Sequence, residues 1–188
     1  MANLKDLRNR IASVTSTQKI TKAMKMVSAS KLKRAQDAAE AARPYAERME
    51  NVLSSLASSM KGQTGGPALL AGTGSDQKQL VVVATSERGL CGGFNTNIVK
   101  AAKAKIKALI EEGKDVTIIT IGKKGAGVLK REYEDKMIQH FDMSHVKNLA
   151  FDDASPIASR LIEMYEAGDY DVCTLFFAKF VNVLTQEV

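Results

Sequence analysis

The chain has 188 residues, with 27 lysines and arginines against 21 acids, a formal charge of +6 and 45% apolar residues. No apolar run approaches the ~18 residues that a membrane-spanning helix needs, which excludes a bilayer-embedded bundle. Two cysteines in unrelated contexts, Cys91 and Cys173, argue against a disulfide framework and fit a reducing compartment.

The charge is concentrated at the start. Over residues 1–36, nine cations (Lys5, Arg8, Arg10, Lys19, Lys22, Lys25, Lys31, Lys33 and Arg34) face the single acid Asp6, a net +8 that leaves −2 for residues 37–188. The first residues alternate charge and apolar side chains without the apolar core of a signal peptide.

Residues 4–60 are expected to form one long helix. Asn3 can cap its first turn, and Asp6 suits a helix N-terminus. Leu4, Leu7, Ile11 and Val14 step by three and four, then Ile20, Met24 and Val27 keep helical spacing in a shifted phase. From Leu32 the stripe Ala35, Ala39, Ala42, Ala46, Met49, Leu53, Leu56 and Met60 has the period of a coiled-coil seam. Pro44 lies inside this pattern, but the phase carries from Ala42 to Ala46, so a bend is expected rather than a break. At ~1.5 Å per residue the helix is about 85 Å long. Much of it is therefore expected to project and to lie against another helix or inside another protein. The polar run Thr15-Ser16-Thr17-Gln18-Lys19 interrupts the stripe. It is open to two readings, a solvated face or contacts with something other than one steady partner helix.

Residues 61–79 read as a Gly-rich, loosely structured connector. Beyond it the period changes. Strands are expected over residues 80–85, Asp115–Ile121, 136–141 and 171–183, with helices over 95–112, 124–133 and 156–167. This alternation predicts an α/β fold: a long N-terminal coiled-coil helix (1–60), the connector (61–79), and a Rossmann-like, mostly parallel βαβ sheet module (80–188).

The turn Thr85-Ser86-Glu87-Arg88-Gly89-Leu90-Cys91-Gly92-Gly93-Phe94-Asn95 joins a strand to a helix, where glycines can cradle a phosphate. Its glycine spacing matches neither the dinucleotide fingerprint nor the P-loop, and Gly122-Lys123-Lys124 stands where a ribose-binding acid would close the second strand. Structural glycines are the preferred reading. Cys91 has no readable relation to His140 or His145, which disfavours a nucleophile, and no metal-ligand spacing occurs. No catalytic, cofactor-binding or metal-binding residue is expected.

Three separated segments resemble the gamma subunit of F-type ATP synthases. They are Ile11-Ala12-Ser13-Val14 with the run from Thr17 to Val27 and Ser30-Lys31, then Ala42-Arg43-Pro44-Tyr45, and then the run from Ser86 to Asn95. The resemblance implies a central-stalk rotor, non-catalytic in itself, that couples proton flow through the c-ring to ATP synthesis or hydrolysis in the beta subunits. It implies alpha, beta and epsilon subunits and the c-ring as partners, with neither nucleic acid nor direct membrane insertion. The expected location is peripheral, on the cytoplasmic face of a bacterial inner membrane. In that family the segment 19–27 passes near an acidic loop of beta, which makes Lys19, Lys22, Met24 and Lys25 the expected rotor–stator contact. Arg88, Gly89, Leu90, Cys91, Gly92, Gly93 and Phe94 would shape the foot. Family members continue past the point equivalent to Val188 with a C-terminal helix that this sequence lacks.

Two other readings stand beside this one. A basic helix leading into heptads is also a pattern of nucleic-acid-binding zippers, although leucine is sparse in the seam. A dinucleotide-dependent enzyme rests on fold analogy alone.

Overall fold

The computed structural model describes residues 3–60, 67–147, 149–182 and 185–188. The chain divides into two compact units, Met1–Lys61 and Gly62–Val188.

The first unit is one helix, α1 (Leu4–Met60), 57 residues long with Pro44 inside it. Asn3 Oδ1 accepts from the Lys5 amide at 3.1 Å, the expected cap. Because the helix is unbroken, a single heptad frame counts through it. Leu4, Ile11, Leu32, Ala39, Ala46 and Leu53 share one seam position, and Leu7, Val14, Ala35, Ala42, Met49 and Leu56 the other. The same frame puts Gln18, Thr21, Lys25 and Ser28 in the seam. Over those turns Ile20, Met24 and Val27 form a second apolar strip about 110° around the helix from the seam. The polar interval does not break the helix. Thr17 Oγ1 donates to the Ser13 carbonyl at 3.0 Å and Thr21 Oγ1 to the Thr17 carbonyl at 2.8 Å. Seam residues stay exposed, with Ile11 at 65% and Leu53 at 47%. The Met60 side chain, the last expected member of the seam, lies outside the described residues.

The second unit contains a four-stranded parallel sheet in the order β3-β2-β1-β4. Its elements are α2 (Ala68–Ala71), β1 (Lys78–Ala84), α3 (Phe94–Glu111), β2 (Asp115–Ile121), α4 (Lys123–Tyr133), β3 (Met137–Phe141), α5 (Phe151–Glu166) and β4 (Val172–Phe176). Strand β1 is central, in register Val81↔Ile118 with β2 and Val81↔Thr174 with β4. It is buried on both faces, as its unbroken apolar run requires. On one face Val81, Val83, Val116 and Ile118 pack against Ile98, Ala102, Ile106 and Leu109 of α3 and Leu129 of α4. On the other, Leu80, Val82 and Ile119 pack against Met164, Tyr165 and Tyr170. Each fully buried aliphatic side chain stabilises the fold by about 1.5–3 kcal/mol.

Three expectations are corrected. The segment 61–79 is not loosely structured where it is described (67–79): it holds the turn of α2 and begins β1 at Lys78. Residues 61–66 lie outside the described residues. Helix α5 starts at Phe151, before Pro156. Asp153 secures that earlier start, its Oδ2 accepting from the Ala150 amide at 2.8 Å while its own amide donates to the Ala150 carbonyl at 3.2 Å. The single long strand expected over 171–183 ends at Phe176. Lys179–Phe180 (β5) instead pairs antiparallel with Gln186–Glu187 (β6); residues 183 and 184 lie outside the described residues.

Gly122 fixes the approach of α4 to the loop after β1. Its φ is +84°, and a Cβ there would collide with the Thr85 carbonyl. Gly127, inside α4, has open space around it. Gly122→Ala should therefore cost about 2–4 kcal/mol, while Gly127→Ala should stabilise by about 0.5–1 kcal/mol. Urea denaturation of both variants checks this, and effects of equal sign would contradict it.

Candidate functional site

On α1, residues Val14, Thr17, Gln18, Thr21, Lys22 and Lys25 share one open face. Lys19, Lys22, Met24 and Lys25 are all exposed, but they do not form one patch. At about 100° per residue, Lys25 lies in the heptad seam and Lys22 beside it. Lys19 and Met24 lie on opposite flanks. Met24 belongs instead with Ile20 and Val27, an apolar strip whose members are 58%, 64% and 56% exposed in the order Ile20, Met24, Val27.

The loop after β1 occupies the carboxyl edge of the sheet, at the point where strand order reverses between β2 and β4. In doubly wound sheets this is where ligands bind. Here the loop's polar groups are largely engaged with one another. The Ser86 amide donates to Asn95 Oδ1 at 2.9 Å, and Asn95 Nδ2 donates to Ser86 Oγ at 2.8 Å and to Cys91 Sγ at 3.1 Å. Ser86 Oγ donates to the Arg88 carbonyl. Leu90 has a φ of 62° and is wholly exposed, and Gly92 has a φ of 58°. Gly93 caps α3, and Phe94 packs on the face of the core that α3 covers. Gly89 lies against the Lys124 side chain.

Residues the sequence reading did not single out tie this loop to its neighbours. Half-buried Glu87 accepts from the Met143 amide at 2.7 Å and from the Lys123 amide at 3.3 Å, joining the loops after β1, β2 and β3. Thr85 Oγ1 accepts from the Gly125 amide at 2.8 Å. Lys123 Nζ pairs with Asp142 at 2.9 Å. Hydrogen bonds from Ser144 and then from Lys123 hold the Asp142 carboxyl far below its ordinary range.

Beside the loop, between α3 and α4, runs a groove of ≈ 540 Å³. Leu90, Val99 and Val128 are its apolar lining, and Lys100, Lys103 and Lys124 line it as well. Lys103 pairs with Glu132 at 2.6 Å; Lys100 and Lys124 have no ion-pair partner among the described residues. Among those residues no group of three or more His, Cys, Asp or Glu could hold a metal.

Asn95→Ala should cost about 1–2 kcal/mol by removing the acceptor for the Ser86 amide. Hydrogen exchange would show faster exchange at Ser86; unchanged protection there would contradict the assigned network.

A protein-family model described as ATP synthase matches residues 3–188. The chain is 56% identical over 186 residues to the ATP synthase gamma chain of Parvibaculum lavamentivorans and 53% identical to that of Rhizobium etli, covering 99% of this chain and 63% of each relative. It thus spans less than two-thirds of the length of these relatives. Among solved structures it is similar to a chain of the central stalk and c-ring of the Tetrahymena thermophila mitochondrial ATP synthase. That match has a TM-score of 0.67 and 28% identity, over 89% of this chain and 68% of that one. A chain of the Euglena gracilis mitochondrial rotor, at 19% identity and a TM-score of 0.53 over 96% of this chain and 58% of that one, bears on the fold alone. The matched span takes in both the long basic helix and the glycine loop, and this chain belongs to the family of ATP synthase gamma chains.

Proposed function

We propose that this chain is the central-stalk rotor of an ATP synthase, a non-catalytic part that carries rotation between the membrane c-ring and the catalytic beta subunits. One observation carries the reading: a 57-residue helix whose heptad seam is exposed from Leu4 to Leu56. Such a seam needs a partner helix, and the Ile20–Met24–Val27 strip needs a second neighbour. Covering Leu4, Leu7, Ile11, Val14, Leu32, Met49, Leu53 and Leu56 would contribute on the order of 10 kcal/mol.

Within this reading the seam takes the partner helix, and Lys25 faces it or sits at its border. Lys19, Lys22 and the Ile20–Met24–Val27 strip face the surrounding alpha and beta subunits. The lysine-lined groove beside Leu90 and Cys91 offers the foot a second place to meet an acidic surface. Exposed ion pairs contribute only about 0–1 kcal/mol each, which suits surfaces that must part at every step. The epsilon subunit and c-ring are the partners proposed for the foot. The site of action would be the cytoplasmic face of a bacterial inner membrane, where proton transport is coupled to ATP. No helix among the described residues is long and apolar enough to cross a membrane.

Two measurements on the reassembled complex test this. A tagged chain should copurify with alpha and beta subunits, and its absence from any such complex would sink the rotor reading. Lys19→Glu combined with Lys22→Glu should leave assembly intact and lower ATP-driven proton pumping about two- to tenfold. Wild-type hydrolysis and pumping together would remove those lysines from the contact.

A further inference from the structure

Composition marks residues 61–79 as a loosely structured connector, yet residues 67–79 are fastened to three separate elements at the amino-terminal edge of the sheet. The first anchor is Tyr165 of α5, whose ring is buried in the core and whose hydroxyl donates to the Ala68 carbonyl at 2.8 Å. The second is Asp171, just before β4. Its Oδ1 accepts from Thr73 Oγ1 at 2.8 Å and its Oδ2 from the Lys78 amide at 2.9 Å, while its own amide donates to the Lys78 carbonyl at 2.8 Å. The third is the turn between α3 and β2. There Gln77 Nε2 donates to the Gly113 carbonyl at 2.8 Å, Lys114 Nζ pairs with Asp76 at 2.6 Å, and the Asp115 amide donates to the Gln77 carbonyl at 2.9 Å.

Local bonds stiffen the segment between these anchors. The Ser75 amide donates to Thr73 Oγ1 at 3.2 Å, the Gln77 amide to Ser75 Oγ at 3.2 Å, and Gln79 Nε2 to the Asp76 carbonyl at 2.6 Å. A chain held at one point rotates about that point, whereas one held at three separate elements has its direction fixed. The held segment runs straight into β1, the central strand of the sheet, and Asp171 leads into β4 beside it.

We propose that residues 67–79 form a torsionally stiff strap that passes load into β1 and β4, with Asp171 as its positioning residue. This rests on the rotor reading, because a strap matters only where the chain carries torque. Asp171 touches no partner surface proposed above, so its effect would be mechanical.

The test uses the complete ATP synthase carrying Asp171→Ala and, separately, Tyr165→Phe, which removes one hydroxyl and leaves the ring in the core. Hydrogen exchange is measured over residues 67–79, together with the ratio of protons pumped to ATP hydrolysed. In the wild type the amides of Ser75, Gln77 and Lys78 should be protected. Each variant should speed exchange in the strap by about fivefold per hydrogen bond lost. Hydrolysis by the catalytic sector should persist while the pumping ratio falls, more in Asp171→Ala than in Tyr165→Phe. Asp171→Asn, which keeps one acceptor, should restore part of the ratio. Wild-type exchange as fast as that of an open loop would overturn the strap, whatever the status of the rotor reading. Loosened exchange with an unchanged pumping ratio would overturn its mechanical role. Failure of the wild-type chain to assemble with alpha and beta subunits would instead count against the rotor reading on which the strap depends.

Discussion

An apolar seam that its own helix cannot cover is the constraint on which the rest depends. Isolated helices draw little stability from propensity alone, and most helices are held by the packing of one face. Helix α1 presents that face from Leu4 to Val14 and again from Leu32 to Leu56, in a heptad frame that survives both Pro44 and the polar interval around Gln18. The alanines at 35, 39, 42 and 46 keep the seam slim, so a partner backbone can approach closely there. Near Lys25 the seam turns polar, and the apolar strip moves about 110° around the helix. That exchange of faces within three turns is what a shaft with two kinds of neighbour needs, and a uniform zipper has no use for it.

The second unit answers a different requirement, rigidity at the edges of a small sheet. At the carboxyl edge, Glu87, Asn95 and Thr85 spend their hydrogen-bonding capacity on neighbouring loops. At a position that holds nucleotides in many doubly wound proteins, the loop's polar groups are here largely engaged with the protein's own groups. At the amino edge, Asp171 and Tyr165 do the corresponding work for the segment entering β1. Each edge also carries an ion pair, Lys123–Asp142 at the carboxyl edge and Lys114–Asp76 at the amino edge, but such pairs with exposed partners contribute little beside the hydrogen bonds.

The sequence made the helix legible almost residue for residue, because 3.6-residue periodicity over 57 positions leaves few alternatives. Strand β2 and the parallel alternation were equally clear, since buried parallel strands read as unbroken apolar runs. The start of α5 was misplaced because Pro156 is a common first helical residue, and the reach of Asp153 back to Ala150 carries no periodic signal. The strap over 67–79 was hidden by its composition. Its glycines and polar residues read as a loose linker, while its fasteners, Tyr165 and Asp171, lie far along the chain. Of the candidate contact residues, the exposure of Lys19, Lys22, Met24 and Lys25 was legible. Their division among faces became visible only once an unbroken helix fixed the frame.

The central claim is that one face of α1 is covered by a helix while its neighbours in sequence stay accessible. A cysteine scan of α1 in the purified, assembled complex, read by maleimide labelling rate, tests it most directly. The account predicts slow labelling at Leu7, Ala39, Leu53 and Leu56, and fast labelling at Lys33, Glu40 and Glu47, with the slow positions repeating every three and four residues. Uniformly fast labelling along the helix would contradict it.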